Sequence, residues 1–533
     1  MNEVRIGALD VMITINPLLA TDAASKDIHL EVWQSLNQLD RSTYRLMPVL
    51  ASLPQTSADG HTLYYSLDPR ARWSDGLPVN PEDVIYTFKT IANRSAQVDM
   101  LRESFAKLDS VWSPAPGIVS FHYSDVKFNR VFDIASVFIL PKHVFDSAGL
   151  TDHITWAQLR ATIPSQIAKQ LGEEFVSTEK SPDTHRFVGS GPYLFEEWER
   201  GQLVKLRKNS SYWADKIPGL EAYPERLIYR KIGDENARVV ALKARDIDVA
   251  AISSQDYLHA FDSDRWSFIK RDTVYDASYS KIEWNNNRPL FGSTNVRKAL
   301  TMLVNRDAMF QVVYHGLAKK AEGPITPIQP GWDSTVQQPV YDPASARQLL
   351  AKEGWRDSDG DGILDKMIDG KKTPFRFTFL ATSKAPHYLI LIEDLRKVGI
   401  DAKLMIVDFA IALGNVREGN YDAYFGGEGW DPVEPDLSGD YHTKNGILGG
   451  SNACGYSNPI ADSLMEAIQT EMNHDRRLTL SQQLQHLLAD DQPETFLFST
   501  PNREAWLDRF DNVRLSAIEP SIDPRFFKVR SIH

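Results

Sequence analysis

Cysteine is nearly absent from this chain: Cys454 is the only one among 533 residues. No internal disulfide can form, and thiolate metal clusters are excluded. So little cysteine suits either the cytosol or an oxidising compartment. A long apolar run is missing too. The best local stretch, Ala135 to Leu140, falls far short of the roughly eighteen residues that a membrane-spanning helix needs. Basic charge is also in short supply, since 59 Lys and Arg face 71 Asp and Glu for a net charge of -12. A surface of that sign does not displace counterions from nucleic acid or settle on an anionic membrane, so neither partner is expected. No export segment opens the chain, because Val4-Arg5-Ile6-Gly7-Ala8-Leu9 already reads as a strand. If the protein is exported, its signal has been removed.

The usual marks of catalysis are missing as well. Thirteen histidines are scattered without a His-Glu-x-x-His pair, and neither a Gly-x-Ser-x-Gly elbow nor a phosphate-binding loop occurs. Ser104-Phe105-Ala106-Lys107 and Ser278-Tyr279-Ser280-Lys281 satisfy Ser-x-x-Lys, but a serine acyltransferase needs companion elements that this chain lacks. Both are expected to be chance matches, and the protein is expected not to be an enzyme.

What is present is the composition of a packed protein, with 42% hydrophobic and 24% charged residues, in a chain long enough for two to four compact units. Helix and strand signals alternate from end to end, which predicts an α/β fold. Thr62 to Leu67 alternates as a half-buried strand. Asn80-Pro81-Glu82-Asp83 then opens a helix with a cap, a first-turn proline and two acids, burying Val84, Ile85 and Phe88. The same grammar recurs at Asp342-Pro343, with a stop at Gly354, and at Asn458-Pro459. From Phe375 to Val407 the order strand, helix, Gly399, strand predicts a right-handed crossover. The segment 181–186 and the stretch Gly323-Pro324 to Gly331 read as surface joints.

One loop has metal-like spacing. Asp357, Asp359, Asp361 and Asp365 alternate with Gly360 and Gly362 as in a calcium loop, but the twelfth position, where a bidentate Glu closes such a site, is Ile368. No cofactor is required, and calcium is the candidate ion for this loop; the bland alternative is an acidic surface turn.

The segment Arg72-Trp73-Ser74-Asp75-Gly76-Leu77-Pro78-Val79-Asn80-Pro81-Glu82-Asp83-Val84-Ile85-Tyr86-Thr87-Phe88 resembles the hallmark of the bacterial extracellular solute-binding protein family 5. That family holds the oligopeptide-, dipeptide- and nickel-binding components of ABC importers. Further blocks follow in family order: Gly189-Ser190-Gly191-Pro192-Tyr193, Asp246-Ile247-Asp248, Asn285-Asn286-Asn287, Gly354-Trp355, Gly429-Trp430 and Gly455-Tyr456-Ser457-Asn458-Pro459.

The resemblance implies a periplasmic binding protein type II-like fold, two lobes with an extra inserted domain and a hinge-closing cleft. The implied division is a first lobe from 1–38, 187–270 and 490–533, an inserted domain 39–186 packed on it, and a second lobe 271–489 closing over the ligand. It further implies a periplasmic or extracytoplasmic monomer, with or without a lipid anchor in its precursor, that captures a small peptide and passes it to a membrane permease. In peptide-binding relatives an aspartate shortly after the Gly-Trp motif meets the peptide's amino group. The usual position is Val433 here, which leaves Asp431 and Asp436 as candidates beside Trp430. The early loop at Asn16 and the cleft-lining strand with Tyr275, Tyr279 and Lys281 complete the ligand-binding set that the resemblance implies. Lys281 reads either as a partner for a ligand anion or as a solvated rim lysine. Rival readings are a non-peptide ligand such as a metal chelate, an opine or a sugar, a sensory receptor on the same fold, and a periplasmic peptide hydrolase.

Overall fold

The computed structural model describes residues 2–177 and 187–530; the expected joint at 181–186, and with it the boundary between 186 and 187, lies outside the described residues. The chain divides into two compact units, Met1–Val274 with Arg503–His533, and Tyr275–Asn502.

The first unit is organised on a seven-stranded sheet in the order Ile269–Tyr275, Pro501–Leu507, Val249–Ala251, Glu3–Ala8, Arg226–Lys231, Leu203–Lys208, Tyr193–Glu199. Glu3–Ala8 runs parallel to both its neighbours. It is therefore a central strand, and Val4 is wholly buried. Asp248 ties it to the C-terminal part of the chain. Its carboxylate accepts from Arg5 at 2.9 and 3.0 Å and from Arg509 at 2.8 and 2.9 Å. Burial works against ionisation of Asp248, but the hydrogen bonds from the two arginines prevail and hold its carboxyl below the usual range.

A separate four-stranded sheet, Gln55–Thr56, Thr62–Ser66, Ile118–Tyr123 and Leu108–Trp112, belongs to the same unit. Beside it the helix Pro81–Ala92 starts as its sequence predicts. Asn80 and Asp83 form a reciprocal capping box, and Asp83 also accepts from the Trp73 indole at 3.0 Å and from Lys142 N at 2.8 Å. Trp73 thus packs and braces the cap. The buried face runs through Val84, Tyr86 and Phe88, while Ile85 is half-buried. Position 85 lies about 100° round the axis from 84, at the edge of the apolar stripe.

The second unit has a five-stranded sheet in the order Asp401–Ile406, Arg376–Ala381, Ala423–Trp430, Ala277–Trp284, Glu494–Phe496. The predicted crossover is present: Arg376–Ala381 and Asp401–Ile406 are parallel and joined by the helix Pro386–Lys397. Residues 490–502, assigned to the first lobe on sequence grounds, lie in this unit, because Glu494–Phe496 pairs with Ala277–Trp284. The helices Pro343–Lys352 and Pro459–Thr470 begin at the caps Asp342 and Asn458. Gly354 and Gly399 take φ of 91° and 89° where chain reversals require it.

Candidate functional site

The strand Ala277–Trp284 lies between Ala423–Trp430 and Glu494–Phe496, antiparallel to both. The reading of Tyr275 to Lys281 as one continuous face does not survive. Tyr275 ends a strand of the other sheet, and Asp276 interrupts the run by accepting from Ser278 N at 2.9 Å. Alternation therefore restarts at Ala277. Tyr275 instead lies under the Lys319 ammonium, 4.0 Å from its ring centre.

Lys281 is neither solvated nor waiting for a ligand. Only 4% of its side chain is exposed, and Nζ lies 2.5 Å from Glu494, 3.0 Å from Glu428 and 3.3 Å from Glu283. Register explains the gathering. Glu283 sits directly opposite Glu494, and Tyr279 opposite Glu428, so these side chains share one face with Lys281. Gly426 pairs with Lys281; a Cβ there would meet the Tyr424 ring at 2.6 Å, so the bare position lets that ring cover the lysine's surroundings. Tyr421 donates to Glu283 at 2.6 Å and Tyr441 to Glu494 at 2.8 Å. Burial alone would lower the Lys281 ammonium, but Glu494, Glu283 and Glu428 outweigh it and hold it firmly protonated. One cation among so many acids leaves an excess: burial pushes Glu494 up to about 7 against the pull of Lys281, and burial with nearby Glu428 does the same for Asp440. Tyr279 is buried in this network and packs on Phe496 at 5.7 Å.

The Ser278-x-x-Lys281 pattern accordingly supplies no nucleophile and base. Ser278 donates to Asp276, and a lysine held protonated by three glutamates does not accept a proton.

Past the end of Ala423–Trp430 comes the acidic loop. Trp430 is half-buried against Tyr279, Ala321 and Phe496, and its indole N–H has no hydrogen-bond partner among the described residues. Of the loop's three acids, two are committed. Glu434 is buried and takes a two-pronged ion pair from Arg477, at 2.6 and 2.9 Å. Asp436 accepts from Ser438 N at 3.0 Å and from Gln469 at 2.9 Å. These bonds pin the loop to the helices His474–Asp491 and Pro459–Thr470. Asp431 is paired with no cation among the described residues, and desolvation raises its carboxyl above the ordinary range. Its side chain is nevertheless exposed.

Asn16 belongs to the first unit, where it is fully buried and its side-chain oxygen accepts from Leu18 N at 3.1 Å. The remaining ligand-binding candidates lie in the second unit.

In the aspartate-rich loop, Asp357, Asp359 and Asp361 offer oxygens within 4.8 Å of one another, all exposed. Asp365 has other work. It accepts from Ser358 N at 3.0 Å and pairs with Lys372 at 3.3 Å, within the hairpin Asp365–Ile368 and Lys371–Pro374. Asp359 also pairs with Lys372, at 2.6 Å. With one acid withdrawn and a lysine competing, calorimetric titration with calcium chloride is expected to reveal no site at this loop tighter than roughly 0.1–1 mM. A micromolar site abolished by Asp357→Asn would contradict that expectation.

The profile of the bacterial extracellular solute-binding proteins, family 5, matches residues 45–447, and the chain belongs to that family. It is a family of binding proteins rather than catalysts, and it operates outside the cytoplasm. The fold is the type II periplasmic binding protein fold, two lobes with an extra domain. Over 521 residues the chain is 28% identical to the oligopeptide-binding protein AppA of Bacillus subtilis, covering 96% of this chain and 89% of that protein. The solved structure of B. subtilis AppA in complex with a nonapeptide superposes with a TM-score of 0.78 at 25% identity, covering 99% of both chains. NikA from Brucella suis, solved in complex with Fe(III)-EDTA, reaches a TM-score of 0.80 at 18% identity, covering 99% of this chain and all of its own; at that identity the likeness concerns the fold.

Proposed function

We propose that this protein captures peptides outside the cytoplasm and delivers them to the membrane permease of an ABC importer, as a monomer that returns its ligand chemically unchanged. Asp431 is the group that meets the peptide's ammonium in this reading. The observation that carries the choice of residue is the division of labour in the acidic loop: Glu434 and Asp436 are bound to Arg477 and Gln469, whereas Asp431 is exposed and paired with no cation among the described residues. A cationic amine set against such a carboxylate forms a charge-assisted hydrogen bond without displacing an internal partner. The near full-length relationship to a protein named for oligopeptide binding supports the ligand class.

The three-part division is part of the same proposal. Among the described residues, the sheet spanning residues 55–123 takes no strand from outside that range, which supports 39–186 as an inserted domain.

Mass spectrometry of small molecules released by denaturing the purified protein tests the ligand class. Peptides of mixed sequence and narrow length support the reading. A chelate, opine or sugar as the sole released compound would replace it with the non-peptide one, and turnover of added peptides would contradict the role of a receptor.

A further inference from the structure

Within the first unit, wholly among residues 88–160, lies a cavity of about 490 Å³ that the peptide-capture reading does not use. Its base is apolar. Phe88 and Ile91 come from the helix Pro81–Ala92, Phe105 and Leu108 from the chain that leads into the strand Leu108–Trp112, and all four are almost completely buried.

Its wall is cationic. Arg102 donates to the carbonyls of Ile91 and Asn93 at 3.2 and 3.0 Å and pairs with Asp99, so it closes the C-terminus of the helix Pro81–Ala92. Arg160 donates to the Leu108 carbonyl and stacks over Trp156 at 5.5 Å. Arg94 is exposed, with no side-chain partner among the described residues. Three guanidinium groups thus meet two carboxylates, Asp99 and Glu103, and Asp99 is already taken by Arg102. The helix cap and Asp99 occupy all three nitrogens of Arg102, but the strand-carbonyl contact takes one nitrogen of Arg160, so Arg160 and Arg94 keep donors to offer beside an apolar hollow.

We propose that this cavity binds a small amphipathic monoanion, an apolar chain or ring ended by a carboxylate, with the apolar part on Phe88, Phe105 and Leu108 and the carboxylate forked by Arg94 and Arg160. The volume lies within the range of roughly 300–1,000 Å³ that small-ligand pockets occupy. The pairing obeys the general rule for such sites, in which burial of apolar surface supplies attraction and a few placed polar groups fix orientation.

Calorimetric titration of the intact protein with sodium octanoate tests the proposal, with octan-1-ol as the uncharged counterpart. Saturable octanoate binding is expected with Kd on the order of 0.1–1 mM, given the efficiency of ligands of this size. Arg94→Glu is expected to weaken it at least about tenfold, consistent with loss of a charge-assisted bond. Ala106→Trp, at an exposed position on the cavity lining, is expected to abolish it by filling the mouth. Octan-1-ol is expected not to saturate over the same range. Absence of saturable binding up to about ten times that Kd range, equal binding of the alcohol, or binding that both substitutions leave intact would each overturn the proposal. Asp431→Asn serves as the control: it is expected to leave octanoate binding unchanged, so failure here and failure of the peptide reading are told apart.

Discussion

Replacing Lys281 with Ala is expected to cost the second unit about 3–5 kcal/mol, the usual penalty for removing one partner of a buried ionic group. In this protein Glu494 and Glu283 would be left in the interior without their cation, 2% and 6% exposed. Denaturant unfolding followed by fluorescence reads the loss directly. The double substitution Lys281→Met with Glu494→Gln is expected to recover part of it, because a neutral pair leaves less uncompensated charge. If Lys281→Ala melted like the parent protein, the ion cluster would have no part in stability.

The sign of the pH dependence follows from the same residues. Glu494 and Asp440 stand at about 7 in the folded protein, against ordinary values of 4.5 and 3.8. Folded protein therefore holds more protons at these sites than the unfolded chain does. Their contribution to stability is fully present below the ordinary values and declines as pH rises through about 7. Glu494→Gln is expected to flatten that decline.

Asp431→Asn is expected to weaken binding of peptides with a free amino terminus by about 1.5–3 kcal/mol, roughly 10- to 150-fold in Kd, the range for a hydrogen bond to a charged group. N-acetylated peptides lack the cation, so they are expected to bind weakly to the parent protein and to be indifferent to the substitution. Asp436→Asn, whose parent carboxylate is held by Ser438 and Gln469, is expected to act on loop order rather than on the distinction between free and blocked peptides. Parallel titrations of both variants with one peptide in free and acetylated form separate these outcomes. Equal losses for the two forms in Asp431→Asn would remove Asp431 from the amine contact.

Much of this architecture was readable one residue at a time because its determinants are local. The cap at Asn80, the proline starts at Asp342 and Asn458, and the reversal at Gly399 act over a single turn of chain, and each lies where its pattern predicts. Lys281 was misread because its surroundings are not local. Glu494, which fixes its state, is 213 residues away along the chain, and no spacing rule connects the two. The pattern did hold one clue, since Lys281 and Glu283 stand two apart on a strand otherwise rich in apolar residues, where paired charges on one face need an explanation. The acidic loop was legible as a set of candidates but not as a ranking. Glu434 and Asp436 are spent on Arg477 and Gln469, which two separate helices carry, and only folding shows that Asp431 is left over. The expected strand through Tyr275 failed for a local reason, an aspartate side chain that competes with the ladder for a backbone N–H.

The grip of Arg5 and Arg509 on Asp248 bears on how the molecule comes into being. A chain that emerges from its N-terminus first, at the ribosome or through a membrane, presents Glu3–Ala8 and Val249–Ala251 long before Pro501–Leu507 arrives to lie beside the latter. Until then the large sheet of the first unit has a raw edge, open to wrong partners. The second unit is encoded between the two halves, and its last sheet strand, Glu494–Phe496, comes just ahead of Pro501–Leu507, so the first unit waits on nearly the whole of the second. The C-terminal segment is therefore the latch of the first unit, and chains truncated before Arg509 are expected to be the ones that aggregate.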